Sequence, residues 1–300
     1  MVKKIAAIDC GSNSTRLLVA SVDVGKLKTI YKIHKVTKTS EGLESSGEIS
    51  QDARKRLIST LRGYLKKINY ENVNEVLITG TAVFRDALNS QAVIDEVKNK
   101  LGIEIQIISG QDEGILTSLG VFSSSSIVDN YFIVDIGGRS TELIYDYRKQ
   151  TRVESLDLGV VSLSEKILTS NPISDDEKQE AKELIDMNIH LDIDTTSRSM
   201  IGVSGTFTSI ASIFLDQKKY DEDEIHLTSI SYSWISELSS VLNNMTEAKI
   251  ISIYPSLDPK RAKTLSAGVL IVRNIMKKFK FDELKVSKSD ILEGLILKYN

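Results

Sequence analysis

Ile8-Asp9-Cys10-Gly11-Ser12-Asn13-Ser14-Thr15-Arg16-Leu17 and Val134-Asp135-Ile136-Gly137-Gly138-Arg139-Ser140-Thr141-Glu142-Leu143 align without a gap, 126 positions apart. The Asp, the first Gly, the Ser, the Thr and the Leu coincide. Each copy runs from an apolar stretch through Asp-x-Gly and a short polar turn into a second apolar stretch, as a β-hairpin does. A duplicated unit of this kind points to two similar domains in one chain.

The flanking sequence supports that reading. Around the first copy, β-rich runs at 4–8, 16–21 and 27–36 are separated by Gly11-Ser12-Asn13-Ser14 and Asp23-Val24-Gly25, which predicts an antiparallel meander. Ala53, Leu57, Leu61, Leu65 and Ile68 recur at helical spacing over 51–68. A strand at 76–78, a helix at 93–101, a strand at 103–108 and a helix at 110–122 follow. The second copy opens a similar series, with strands at 131–134, 141–145 and 153–158 and helices at 161–169 and 174–191. The latter begins with the capping box Ser174-Asp175-Asp176-Glu177. A strand at 200–203 then leads into a helix carrying Phe207, Ile210, Ala211 and Phe214, and a helix at 262–279 carries Leu265, Val269, Val272 and Met276. The low-complexity stretch Ser123-Ser124-Ser125-Ser126 places the boundary, giving domains 1–126 and 127–300, with the last helix free to pack back on the first. The expected fold is α/β: two similar domains whose Asp-x-Gly turns oppose one another across an interdomain cleft, as in actin-like and sugar-kinase-like folds. That cleft is the default active site.

Composition narrows the function classes. With 41% hydrophobic and 26% charged residues among 300, the chain reads as an ordinary globular protein. Its apolar runs stay below the ~18 residues of a membrane span, and Asp9 interrupts the stretch after Lys3-Lys4 too early for a signal peptide. A cytoplasmic location, with no membrane partner, is expected. One cysteine, Cys10, and three dispersed histidines, His34, His190 and His226, leave no disulfide framework, zinc site or histidine-based triad. A net charge of −3 disfavours nucleic acid as a partner, so a polyanion must be held by a local patch or a bridging cation.

Each turn pairs a carboxylate with backbone N–H groups and hydroxyls. Gly11, Ser12, Asn13 and Ser14 in one, and Gly137, Gly138, Ser140 and Thr141 in the other, form a nest suited to phosphate oxygens, beside an Asp suited to a hard cation. The alternative is a hairpin whose residues satisfy turn geometry only. Ser109-Gly110-Gln111-Asp112-Glu113 puts two carboxylates in the first turn of a helix, either for catalysis or to complement the helix dipole. Thr79-Gly80-Thr81-Ala82-Val83-Phe84-Arg85-Asp86-Ala87 follows a strand end, where Arg85 is either a phosphate clamp or an exposed helical arginine. Gly205 and Thr206 in Ser204-Gly205-Thr206 begin another helix, as an anion site or a plain cap. No P-loop sequence is present.

Taken in order, these segments resemble the exopolyphosphatase/guanosine pentaphosphate phosphohydrolase (Ppx/GppA) family in its short two-domain form. The resemblance rests on Ile8 to Ser14 with Arg16-Leu17, Thr81-x-x-x-Arg85-Asp86-Ala87-x-Asn89, Ile108-Ser109-Gly110-x-x-Glu113 and Val134-Asp135-Ile136-Gly137-Gly138-x-Ser140-Thr141-Glu142. It continues through Gly202-Val203-Ser204-Gly205-Thr206 and Asp258-Pro259-Lys260-Arg261-Ala262 to Glu293-Gly294-Leu295. It implies the ribonuclease H-like architecture of the acetate and sugar kinase and actin superfamily, and hydrolysis of terminal phosphoanhydrides with Mg²⁺, or Mn²⁺ in its place. By position, Glu113 would be the general base, Asp135 and Glu142 would hold metal and the attacking water, Asp9 would support the metal, and Arg85 would grip the phosphate chain.

Inorganic polyphosphate is the expected substrate, with Arg16, Arg85, Arg139, Lys32, Lys35 and Lys38 as further phosphate contacts. The alternatives are guanosine pentaphosphate (pppGpp), a non-catalytic nucleotide-binding regulator, or a kinase of the same fold; a homodimer is compatible with each. Arg139 and Ser204 stand where the family has glycine. The Asn13 partner of Arg139 tolerates positive φ, so a left-handed backbone is expected at Arg139.

Overall fold

A computed structural model describes residues 3–23, 26–124, 130–189, 195 and 198–299. Val24-Gly25 of the second predicted turn, Ser125-Ser126 with the predicted boundary, and the predicted helix end at 190–191 with His190 lie outside the described residues. The chain divides into two compact units, Met1–Ser126 with Ser289–Asn300, and Ile127–Lys288.

In the first unit the chain runs β1 (Lys3–Cys10), β2 (Ser14–Asp23), β3 (Lys26–Val36), α1 (Leu43–Ser46), α2 (Gln51–Tyr70), β4 (Glu75–Gly80), α3 (Ala82–Asp86), α4 (Ser90–Leu101), β5 (Gln106–Ile107) and α5 (Gly110–Ser124). The sheet order is β3-β2-β1-β4-β5. The meander β1–β2–β3 is antiparallel, as predicted, and β4 runs parallel to β1. Alternate residues of a strand face opposite sides of its sheet. Ala6 and Ile8 accordingly join Leu57, Leu61, Val93 and Val97 on the α2–α4 side, whereas Ile5 and Ala7 join Leu116 on the other. Burial on both faces explains why β1 reads as continuous apolar sequence. Asp9 continues the row of Ile5 and Ala7, and Arg16 that of Leu18 and Ala20; the two are direct cross-strand partners.

The second unit repeats the hairpin. It comprises β6 (Tyr131–Ile136), β7 (Thr141–Tyr147), β8 (Gln150–Leu156), α6 (Val160–Lys166), α7 (Asp175–Asn188), β9 (Ser199–Val203), α8 (Ser204–Phe214), α9 (Glu222–Ile225), β10 (Ser229–Ser231), α10 (Tyr232–Asn243), α11 (Glu247–Ile253), α12 (Ala262–Lys278) and β11 (Glu283–Val286). The sheet order is β10-β11-β9-β6-β7-β8. Phe132, Val134, Ile136 and Leu143 pack with Phe207, Ile210, Val269 and Val272 of α8 and α12 in one large core. Ser174 caps α7 in the predicted box with Glu177.

The last helix, α13 (Ile291–Lys298), which the sequence division counts with 127–300 but leaves free to pack back on the first domain, lies in the first unit, where Ile291, Leu292, Leu295 and Ile296 pack with Leu116. The strand predicted at 103–108 shortens to the two residues of β5. Among the described residues no helix is long and apolar enough to cross a membrane.

Candidate active site

In the first unit, β1 delivers Asp9 to the mouth of the Gly11–Ser14 turn. Gly11 N–H donates to Ser14 O at 2.9 Å, and a Cβ on Gly11 would stand 2.9 Å from that oxygen. The carbonyls of the turn point backwards: Asn13 O accepts from Thr37 and Lys38 N–H, and Ser12 O from Ser40 N–H at 2.9 Å. Tying the carbonyls to the β3–α1 connection keeps negative ends of peptide dipoles away from the nest, as anion binding requires. His34 Nε2 and Ser14 Oγ are 2.8 Å apart, a contact that the sequence did not disclose.

Asp9 is only 5% exposed. Arg16 donates to its Oδ2 from Nε at 3.0 Å and Nη2 at 2.8 Å, and from Nη1 to Asp290 Oδ2. Arg16, expected to contact phosphate, is thus engaged by two buried carboxylates. Oδ1 of Asp9 is buried with no hydrogen-bond partner. Burial pushes the Asp9 carboxyl above its ordinary range against the pull of Arg16. Asp290 is also buried, but Arg16 and Lys32 outweigh that penalty and hold its carboxyl below the usual value.

Glu113 and Asp112 diverge. Asp112 takes the helix-end role, its N–H and Oδ2 both bonded to Ser109 Oγ, at 3.0 and 2.7 Å. Glu113 turns inward and accepts from Arg85 Nη1 at 2.9 Å, and the same nitrogen donates to Ile108 O at 3.0 Å. Arg85 is therefore not an exposed helical arginine; the short α3 after β4 aims it at α5.

In the second unit, Gly137 N–H donates to Ser140 O at 2.9 Å, reproducing the first turn. Its carbonyls are also turned away, Gly137 O accepting from Val160 N–H and Gly138 O from Val161 and Ser162 N–H at the start of α6. Gly159 permits this approach, since a Cβ there would lie 2.3 Å from Arg139 N and from Gly138 C. Thr141 Oγ1 donates to Leu158 O at 2.5 Å.

Asp135 and Glu142 are direct cross-strand partners, at the positions that Asp9 and Arg16 occupy in the first unit. Both are buried, at 6% and 0% exposure, in the row of Ile133 and Ile144. Ser155 Oγ donates to Glu142 Oε1 at 2.9 Å.

Arg139 corrects the sequence reading. It is half-buried, and it is not among the described residues with positive φ. The Gly137 to Ser140 closure is made without a left-handed residue. Left-handed backbone instead occurs at Ser204, the other replaced glycine, with φ 73°. Its Oγ donates to Ile136 O at 3.0 Å, and Thr206 Oγ1 reaches the same carbonyl at 3.5 Å. The start of α8 is thereby stitched to the second turn. No side chain caps α8, so Ser204 to Thr206 is not a plain side-chain cap. Gly205 lies under Arg261, whose Nη1 would be 1.9 Å from a Cβ on it.

A divalent cation fits these donors. The orphaned Oδ1 of Asp9 is an anionic lone-pair site in a buried setting, and Asp135 and Glu142 put two buried carboxylates at directly paired strand positions, where like charge favours a nearby cation. No group of three or more His, Cys, Asp or Glu among the described residues forms a cage. Partial protein ligation completed by water and phosphate is the habit of Mg²⁺, which uses one or two carboxylates.

Comparison with known proteins identifies the family. The chain is 27% identical over 312 residues to "Exopolyphosphatase 2" of Mycobacterium tuberculosis, covering 98% of both chains. The crystal structure of the Aquifex aeolicus member of the Ppx/GppA family superposes with a TM-score of 0.83 at 26% identity, covering 100% of this chain and 98% of that one. A Cytophaga hutchinsonii exopolyphosphatase shares the fold, with a TM-score of 0.90 at 23% identity over 99% and 98% of the two chains. The two mixed sheets with their helices are thus the α/β two-domain actin-like fold. Since the Ppx/GppA phosphatase family model matches residues 18–299, the chain belongs to that family and is a phosphoanhydride hydrolase.

Proposed function

We propose that this chain is an exopolyphosphatase that releases terminal orthophosphate from inorganic polyphosphate with Mg²⁺. The observation that carries the reading is the burial of two carboxylates, Asp135 and Glu142, at directly paired strand positions beside the second turn, a setting in which like charges side by side favour a bound cation. The name of the Mycobacterium tuberculosis relative supports polyphosphate as the substrate. Mg²⁺ held by Asp135 and Glu142 would neutralise charge on the phosphoryl oxygens, and Asp9 is proposed as the cation ligand of the first unit.

The remaining work falls to the chain itself. Glu113 accepts the proton of the attacking water, and Arg85 fixes its carboxylate through Oε2. Nε and Nη2 of Arg85 are assigned to the phosphate chain, because Nη1 is committed to Glu113 and Ile108. Each turn offers N–H groups and hydroxyls suited to phosphoryl oxygens, and the water is proposed to attack in line with the leaving phosphate.

Phosphate release from long-chain polyphosphate, tripolyphosphate, pppGpp and ATP, compared side by side, tests the assignment. Polyphosphate should be cleaved most efficiently, EDTA should abolish turnover, and Mg²⁺ or Mn²⁺ should restore it. Much more efficient cleavage of pppGpp would replace the substrate, and full activity after exhaustive chelation would remove the metal.

A further inference from the structure

Arg16 meets Asp9 in an unusual way. An arginine alone with a carboxylate favours two parallel bonds from two nitrogens to two oxygens. Here Nε and Nη2, at 3.0 and 2.8 Å, both reach Oδ2, while Oδ1 is buried and has no hydrogen-bond partner. The guanidinium is planar and rigid, so the position of Nη1 decides where the Nε–Nη2 edge lies. Nη1 is anchored on Oδ2 of Asp290.

Asp290 is itself firmly placed. Its Oδ1 caps α13 by accepting from Leu292 N–H at 3.3 Å, and its own N–H donates to Glu293 Oε2 at 2.9 Å. Lys32 Nζ pairs with the other oxygen of Glu293 at 3.3 Å. The backbone of α13 lies directly against α5: a Cβ on Gly120 would stand 1.8 Å from Asp290 O, and one on Gly294 1.7 Å from Leu116 O.

We propose that Asp290 is a positioning residue for Asp9: by anchoring Nη1 of Arg16, it holds the guanidinium over Oδ2 and keeps Oδ1 open to a divalent cation. The proposal rests on the reading of Asp9 as a cation ligand. Without the anchor, the Nε–Nη2 edge slides to straddle both oxygens and neutralises the carboxylate that the cation needs. Two carboxylates about one arginine also leave negative charge in excess, which loss of Asp290 would remove.

Asp290→Asn is the informative variant, because asparagine caps a helix as well as aspartate does. Mn²⁺ binding to the substrate-free protein, followed by the EPR signal of the free ion, is measured for the wild type, Asp290→Asn, Asp290→Asn/Arg16→Gln and Asp9→Asn, with phosphate release in parallel. Asp290→Asn should weaken Mn²⁺ binding about 10- to 100-fold, the usual effect of removing a partner that orients a metal ligand. The double variant should recover most of that loss, since no guanidinium remains to cover Oδ1. A general structural defect would not be repaired by a second substitution. Wild-type Mn²⁺ affinity in Asp290→Asn, or a double variant no tighter than the single one, overturns the proposal. Wild-type Mn²⁺ affinity in Asp9→Asn overturns instead the reading of Asp9 on which it stands. Asp290→Ser, which also caps helices, provides the same comparison should the Asn variant not fold.

Discussion

Asp112 and Glu113 occupy one helical turn, where any carboxylate gains about 0.3–1 kcal/mol from the helix dipole. Only Asp112 is bonded as a helix-end residue, through Ser109. Glu113→Gln keeps the shape and an acceptor for Arg85 but removes the proposed base, so kcat should fall about 10²- to 10⁴-fold. Because the side chain of Arg85 is 22% exposed and retains a partner, melting should reflect a loss of about 1 kcal/mol. Single-turnover phosphate release and thermal melts check both numbers; near-normal kcat would leave Glu113 as the structural partner of Arg85 alone. The sequence made Glu113 a candidate through its motif, but the Arg85 pairing spans 28 residues and the Arg16–Asp290 pairing 274, so no local pattern contains them. Ser204 and Arg139 show the same limit. Both stand where the resemblance leads one to expect glycine, yet of the two only Ser204, at the strand-to-helix junction, is left-handed.

Elements were legible where one face is buried and the segment is long. α2 spans 20 residues, with Leu57, Leu61 and Ile68 on its buried side, and its helical period is plain. β10 and β11, of three and four residues, are too short to display alternation. The last helix, α13, could be given no bounds for the opposite reason: Ile291, Leu292, Glu293, Gly294, Leu295 and Ile296 are all buried, so no polar face marks the period. The capping box of α7 was visible, and the structure gives it a wider role. Glu177 accepts from Ser174 N–H and Oγ, from Thr169 N–H and Oγ1, and from Ser170 N–H. Partial burial opposes its ionisation, but these donors prevail and hold the carboxyl well below its ordinary 4.5. A depressed folded-state pKa gives stability that is present above 4.5 and is lost as the pH falls below it toward the folded-state value. Glu177→Gln should therefore lose about 1 kcal/mol at pH 7, and the gap to wild type should close below pH 4.5 without a change in phosphate release. Melting curves from neutral to acid pH test this, and a gap independent of pH would reject it.

At the scale of the whole molecule, the chain completes its first unit last. Residues 3–124 supply the sheet and five helices among the described residues, but one face of β1 and β2 is covered by Ile291, Leu292, Leu295 and Ile296, which arrive only after the second unit has been traversed. Each of these side chains is at most 2% exposed. At about 1.5–3 kcal/mol for each, their burial contributes on the order of 6–12 kcal/mol, comparable to the roughly 5–15 kcal/mol that stabilises a domain. The second unit encloses its own core from β6 to β11 without using α13. Ending the chain at Lys288 should consequently remove protection against amide exchange from residues 3–23 and 75–80 while residues 131–136 and 199–203 retain theirs. A synthetic peptide spanning 289–300, added in trans, should restore protection to the first unit, because it returns both the apolar face and the Asp290 partner of Arg16. Unaltered exchange in β1 and β2 of the shortened chain would show that α2 and α4 stabilise this sheet alone, and that α13 contributes position to Arg16 without contributing to the fold.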